Sequence, residues 1–139
     1  MTAEEIARLK QSAAQARKNA YAPYSGFRVG AAVLAASGRI YTGCNVENAS
    51  FGATLCAERA AVSAAVSAGE RRFAGIAITA GGVPVVPCGI CRQVLAEFSP
   101  DGSLPVICVG AQGDRVLPLR ALLPDSFTTF EREDGSLSR

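Results

Sequence analysis

The residues able to do chemistry fall in two short segments, Cys56-Ala57-Glu58-Arg59 and Pro87-Cys88-Gly89-Ile90-Cys91, in a chain that contains no histidine. Cysteine thiolates are good zinc ligands. A catalytic zinc takes three protein ligands and keeps a fourth position open, whereas a structural site is closed by four. Three thiolates with a carboxylate beside them therefore point to zinc-assisted hydrolysis, Glu58 moving protons without ligating the metal. The lack of histidine excludes Ser-His-Asp triads, Cys-His pairs and His-ligated centres.

Cys56 and Glu58 are two residues apart and would point to opposite sides of an ideal helix, so no metal beside a helix face could serve both. A metal off the end of the helix, near its axis, resolves the conflict. Cys88 and Cys91 are three apart and share a face. The spacing thus predicts zinc at helix N-termini, with both ligand segments opening helices there. Three thiolates and Zn²⁺ sum to one negative charge, which two N-termini offset with roughly one unit of partial positive charge. The same dipoles favour the thiolate form. Arg59 is expected to donate to ligand sulfurs and to drain electron density from them.

Blander readings stand beside these. A Cys-x-x-Cys alone suits a thiol redox pair or half of a closed structural site equally well. In the structural alternative Cys44 is the candidate fourth ligand; otherwise Cys44 and Cys108 read as buried core thiols. On spacing alone Phe27 is a core aromatic, Asn45 a turn residue, Glu47 a solvated carboxylate and Phe127 a tail anchor.

The elements that must position these residues alternate between helix and strand. A capping box from Thr2 to Glu5, followed by Ile6, Leu9, Ala13, Ala16 and Ala20 on one stripe, predicts a helix over 3–19. Alternation through Phe27, Val29, Ala31, Val33 and Ala35, a Ser37-Gly38 turn and a returning run over 39–43 predict a hairpin. Helices over 55–68 and 89–98, strands over 73–80, 105–109 and 115–117, and a helical turn over 119–123 complete the pattern. The expected fold is α/β, three layers (α/β/α) around a mixed central sheet of about five strands, in a single domain spanning 1–139.

Fourteen basic and twelve acidic residues give a formal charge of +2, and the arginines are scattered. No nucleic-acid footprint is visible. No stretch approaches the roughly 20 apolar residues of a membrane span. The polar first residues and the odd cysteine number favour a reduced, cytoplasmic protein.

The chain closely resembles the cytidine deaminases, specifically their small three-cysteine, homotetrameric branch. The likeness runs through Tyr21-Ala-Pro-Tyr-Ser, Phe27-Arg-Val-Gly-Ala-Ala, Gly43-Cys-Asn-Val-Glu-Asn-Ala-Ser, Cys56-Ala-Glu-Arg, Pro87-Cys-Gly-Ile-Cys-Arg-Gln and Leu122-Leu-Pro. It implies one zinc per subunit on Cys56, Cys88 and Cys91, and Glu58 as the proton shuttle. It further implies that the Ala57 N–H binds the pyrimidine carbonyl, Phe27 packs on the base, and Asn45 and Glu47 bind the ribose 3′-hydroxyl. Arg59 would hold ligand thiolates, and Phe127 would close a neighbouring subunit's pocket in a homotetramer. The implied reaction is hydrolysis of cytidine or deoxycytidine to the uridine and ammonia. Blasticidin-type deaminases share the Cys-x-Glu and Pro-Cys-x-x-Cys core, and a non-catalytic zinc-stabilised module is the other alternative; Asn45-Val-Glu47-Asn favours cytidine. Phe51 stands where tyrosine is common, and Ile90 replaces a small residue.

Overall fold

A computed structural model describes residues 1–138; Arg139, the last residue of the expected 1–139 domain, lies outside them. The first helix, α1 (Ala3–Arg17), opens on the expected capping box: the Thr2 hydroxyl accepts from the Glu5 N–H at 3.1 Å, and the Glu5 carboxylate accepts from the Thr2 N–H at 2.8 Å. It stops short of residue 19 because the N–H groups of Lys18, Asn19 and Ala20 donate three residues back, the tighter 3₁₀ pattern that closes a helix. Ala20 thus falls outside the stripe.

Strands β1 (Gly30–Ala35) and β2 (Ile40–Cys44) form the hairpin, in antiparallel register with Val33 opposite Tyr41. After a 3₁₀ turn (Phe51–Ala53) come α2 (Ala57–Ser67), β3 (Phe73–Thr79), α3 (Gly89–Glu97), β4 (Pro105–Val109), β5 (Arg115–Pro118) and the one-turn α4 (Leu119–Leu122). The sheet order is β2-β1-β3-β4-β5, and it is mixed as expected: β3 and β4, joined through α3, run parallel, while the other pairs are antiparallel. β5 forms one edge. It pairs with β4 on its inner side and exposes Val116.

β1 is buried along its whole length, because both sheet faces are covered. Its parity sorts the faces. Ala32 and Leu34 join Leu9 and Ala13 of α1, with Ala77 and Ile107, on one side. Ala31 and Val33 pack with Ile76, Ile78 and Val106 beneath α2 and α3 on the other. Each fully buried isoleucine or leucine here stabilises the fold by roughly 1.5–3 kcal/mol. The result is the expected α/β/α sandwich, with α2, α3 and α4 on one face and α1 on the other.

Gly43 sets how closely α2 lies on the sheet. A Cβ at this position would fall 2.5 Å from the Ala61 nitrogen, 2.6 Å from the Ala60 Cβ and 2.7 Å from the Ala57 carbonyl oxygen. The helix backbone therefore rests directly on β2. This contact fixes the position of the α2 N-terminus, where the chemistry gathers.

Candidate active site and metal centre

Cys56 is the N-cap of α2, Cys88 is the N-cap of α3, and Cys91 sits in the first turn of α3. Both N-cap residues are extended, and neither sulfur caps its own helix. The sulfurs are left to face one another. All three lie within 4.8 Å of one another, and Cys56 and Cys88 are 3.8 Å apart. Tetrahedral zinc with Zn–S bonds of about 2.3 Å requires sulfurs about 3.8 Å apart, so the cluster has the dimensions of a zinc site. Cys44, only half-buried on β2, is not part of it, which corrects both its fully buried reading and its candidacy as fourth ligand. Cys108 is fully buried as expected.

Electrostatics also fit a cation. Burial pushes the Cys91 thiol far above its usual range, with the Glu58 charge adding to the effect, so Cys91 needs a compensating positive charge to act as a thiolate. Burial likewise raises Cys88, but hydrogen bonds with Cys91 and Cys56 outweigh it and hold that thiol low. Arg59, in the first turn of α2, donates from Nη2 to the Cys56 sulfur at 3.3 Å and to the Thr54 carbonyl at 3.2 Å. Its Nε is buried with no hydrogen-bond partner among the described residues. An unspent guanidinium N–H beside sulfurs suits a cluster of thiolates.

The sulfurs of Cys56 and Cys88 open onto a cavity of about 180 Å³. Ala57, Glu58, the apolar Val29, Ile78, Val85 and Val86, and Phe27, Asn45 and Thr54 complete its lining. Glu58 is only 5% exposed. Burial raises its carboxyl above the usual range, against the opposing hydrogen bond to Cys91 and the Arg59 charge. Ala57 is in the first turn of α2, where a backbone N–H has no intrahelical acceptor.

The loop before β1 is organised by two side chains. Asn45 accepts from the Val29 N–H at 2.8 Å and donates from Nδ2 to the Phe27 carbonyl at 2.7 Å. A side chain thereby occupies the place of a strand partner, and β1 begins at Gly30 rather than Phe27 as expected. Phe27 consequently leaves the sheet and stands half exposed at the cavity. The Glu47 carboxylate accepts from the N–H groups of Tyr24 at 2.8 Å and Ser25 at 3.1 Å and from the Ser25 hydroxyl, the last holding it below its usual range. Glu47 lines not the main cavity but an adjoining one, with Tyr24, Ser25, Phe51 and Thr54; Thr54 borders both.

The description "Cytidine and deoxycytidylate deaminase zinc-binding region" belongs to the family model that matches residues 3–107. The chain belongs to this deaminase family. A cytidine deaminase of Sporosarcina psychrophila is 47% identical over 126 residues, covering 89% of this chain and 92% of that protein. One from Halalkalibacterium halodurans is 46% identical, covering 91% and 96%. The crystal structure of cytidine deaminase from Burkholderia pseudomallei superimposes with a TM-score of 0.82 at 46% identity, over 91% of this chain and all of that one. Cys56, Cys88 and Cys91 are thus the zinc-compatible cluster of a zinc-binding deaminase domain.

Within this deaminase architecture the structure brings Cys56, Cys88, Cys91, Glu58, Ala57, Arg59, Phe27 and Asn45 together, with Glu47 one cavity away. Phe127 does not line the cavity. It is exposed in the tail, stacks on Phe130 at 6.1 Å, and its carbonyl accepts from Gln93 of α3 at 2.6 Å. Phe51 packs edge-on against Tyr24 at 5.6 Å, and Ile90 points to solvent. Sequence reasoning missed Thr54, Ser25, Arg92 and the valines of the cavity lining. Arg92 donates to the carbonyls of Pro87 and Leu122, both at 2.7 Å, tying the approach to Cys88 to α4. Its only sequence signal was its place directly after Cys91.

Proposed function

We propose that the chain, acting as one domain over 1–139, hydrolyses cytidine and deoxycytidine to uridine and deoxyuridine with release of ammonia. The observation that carries this reading is a buried carboxylate, Glu58, lining one cavity with Cys56 and Cys88, two members of the three-sulfur cluster. When bound, zinc supplies a Lewis acid that acidifies water and so provides the nucleophile for C4 of the pyrimidine.

Glu58 would take the proton released by that water and pass it to N3, then take the proton of the hydroxyl newly attached at C4 and deliver it to the amino group as the C4–N bond breaks and the carbonyl forms. Its raised proton affinity, caused by burial, suits both acceptance and return of a proton. The Ala57 N–H holds the pyrimidine carbonyl, and Phe27 covers the base. Asn45 and Glu47 receive the ribose 3′-hydroxyl. Arg59 stabilises the thiolates. Phe127 belongs to a neighbour's cavity in a homotetramer, a role supported by its exposure and its absence from the cavity of its own chain. A cytoplasmic setting accords with the free thiols of all five cysteines.

The test is ammonia release and absorbance loss with cytidine, deoxycytidine, cytosine and blasticidin S. Glu58→Gln should keep zinc and lower kcat by about 10²–10⁴-fold. Full activity of Glu58→Gln would remove the proton-shuttle role. Turnover of blasticidin S alone would transfer the chain to the blasticidin-type enzymes. Full zinc with no turnover of any substrate would leave a structural zinc module.

A further inference from the structure

Ser25 lies outside the metal cluster, yet its hydroxyl joins the sugar-facing and base-facing parts of the site. Its oxygen accepts from the Phe27 N–H at 2.9 Å and the hydroxyl contacts Glu47 Oε2. A backbone N–H can only donate, so the Ser25 oxygen must accept there, and its single proton is directed at the carboxylate. Glu47 Oε1 meanwhile takes both the Tyr24 and the Ser25 N–H. A carboxylate offers about four lone-pair sites. The turn fills three, and the one remaining is on Oε2, beside the Ser25 hydroxyl.

Asn45 complements this arrangement. Its carbonyl is held by the Val29 N–H and one Nδ2 hydrogen by the Phe27 carbonyl, so the second Nδ2 hydrogen remains as a donor. A hydroxyl group both donates and accepts, and it matches one free donor plus one free acceptor.

We propose that Ser25 is a positioning residue: it leaves Glu47 a single acceptor site, aims that site at one sugar hydroxyl of the nucleoside, and fixes the Phe27 backbone with the same hydroxyl. This rests on the reading of Glu47 as the sugar-facing acid. Removing the Ser25 hydroxyl frees the outer carboxylate oxygen of a half-buried side chain, and orientation toward the sugar is lost. The base-facing Phe27 remains tied through Asn45, so the loss is concentrated on substrates that carry the hydroxyl.

The test compares kcat and KM for cytidine and 3′-deoxycytidine in the native enzyme, Ser25→Ala, Ser25→Thr, Glu47→Gln and the Ser25→Ala/Glu47→Gln double variant. Ser25→Ala should lose about tenfold in kcat/KM on cytidine, mostly through KM, as expected for one charge-assisted hydrogen bond. On 3′-deoxycytidine it should be close to native. Ser25→Thr should restore cytidine, and the double variant should be no worse than Glu47→Gln alone. Ser25→Val, which has the shape of threonine without the hydroxyl, repeats the comparison should Ser25→Ala fold poorly. Equal loss on both substrates, or none on either, overturns the proposal while selective loss in Glu47→Gln keeps the Glu47 reading. If Glu47→Gln itself fails to distinguish the two substrates, the Glu47 reading falls and the proposal with it.

Discussion

The least replaceable side chain outside the sulfur set and Glu58 is Arg59, because a single planar group serves the Cys56 sulfur and the Thr54 carbonyl and holds Nε in reserve. Truncation to alanine takes a donor from both acceptors in a half-buried setting. Arg59→Ala should bind zinc about 10–100-fold more weakly in chelator competition, the usual consequence of losing a group that supports metal ligands. Unchanged zinc retention would show that the guanidinium is only a helix-surface charge. The cysteines and Glu58 were legible in the sequence because a two-residue offset can reach one metal only off a helix end. Asn45 and Glu47 were legible only through family likeness. Ser25 closes the Tyr21-Ala-Pro-Tyr-Ser segment, but nothing in the sequence pairs it with Glu47, twenty-two positions away, and serine in a turn is ordinary.

At the level of elements, α2 joins the core through Ala61 and Val62 and lies close on β2 through a backbone contact at Gly43. Gly43→Ala must push α2 outward, carrying Cys56 and Glu58 with it. Such overpacking costs on the order of 1–3 kcal/mol, so we expect a lower Tm in thermal unfolding together with weaker zinc retention. A native Tm would mean that β2 yields instead. Most elements could be read from caps and periodicity: the Thr2–Glu5 box, the hairpin, and the helices beginning beside Cys56 and Cys88. Strand β1 could not be bounded, because its true start depends on Asn45, distant in sequence, taking the hydrogen bonds of Phe27 and Val29. Alternation continued through residues whose backbone belonged to another partner.

For the whole molecule, the unusual quantity is exposed aromatic surface. Tyr21, Tyr24, Phe27, Phe51, Phe127 and Phe130 are each more than half exposed, in a chain with only nine aromatic residues. Aromatics left in water on this scale mark surfaces that other molecules cover. Light scattering should give about four times the 14.3 kDa chain mass. Phe127→Ala should then raise KM by about tenfold, a typical effect of truncating a buried aromatic anchor at an interface. Mixed assemblies with Glu58→Gln subunits should regain sites of native KM. A 14.3 kDa species with full activity would refute the tetramer. The far rim of the sheet carries a separate consequence. β5 spans four residues and closes with Pro118 opposite Pro105, so that corner offers few backbone donors for another strand to zip onto. Runaway stacking into fibrils has a poor starting template there, even in a crowded solution.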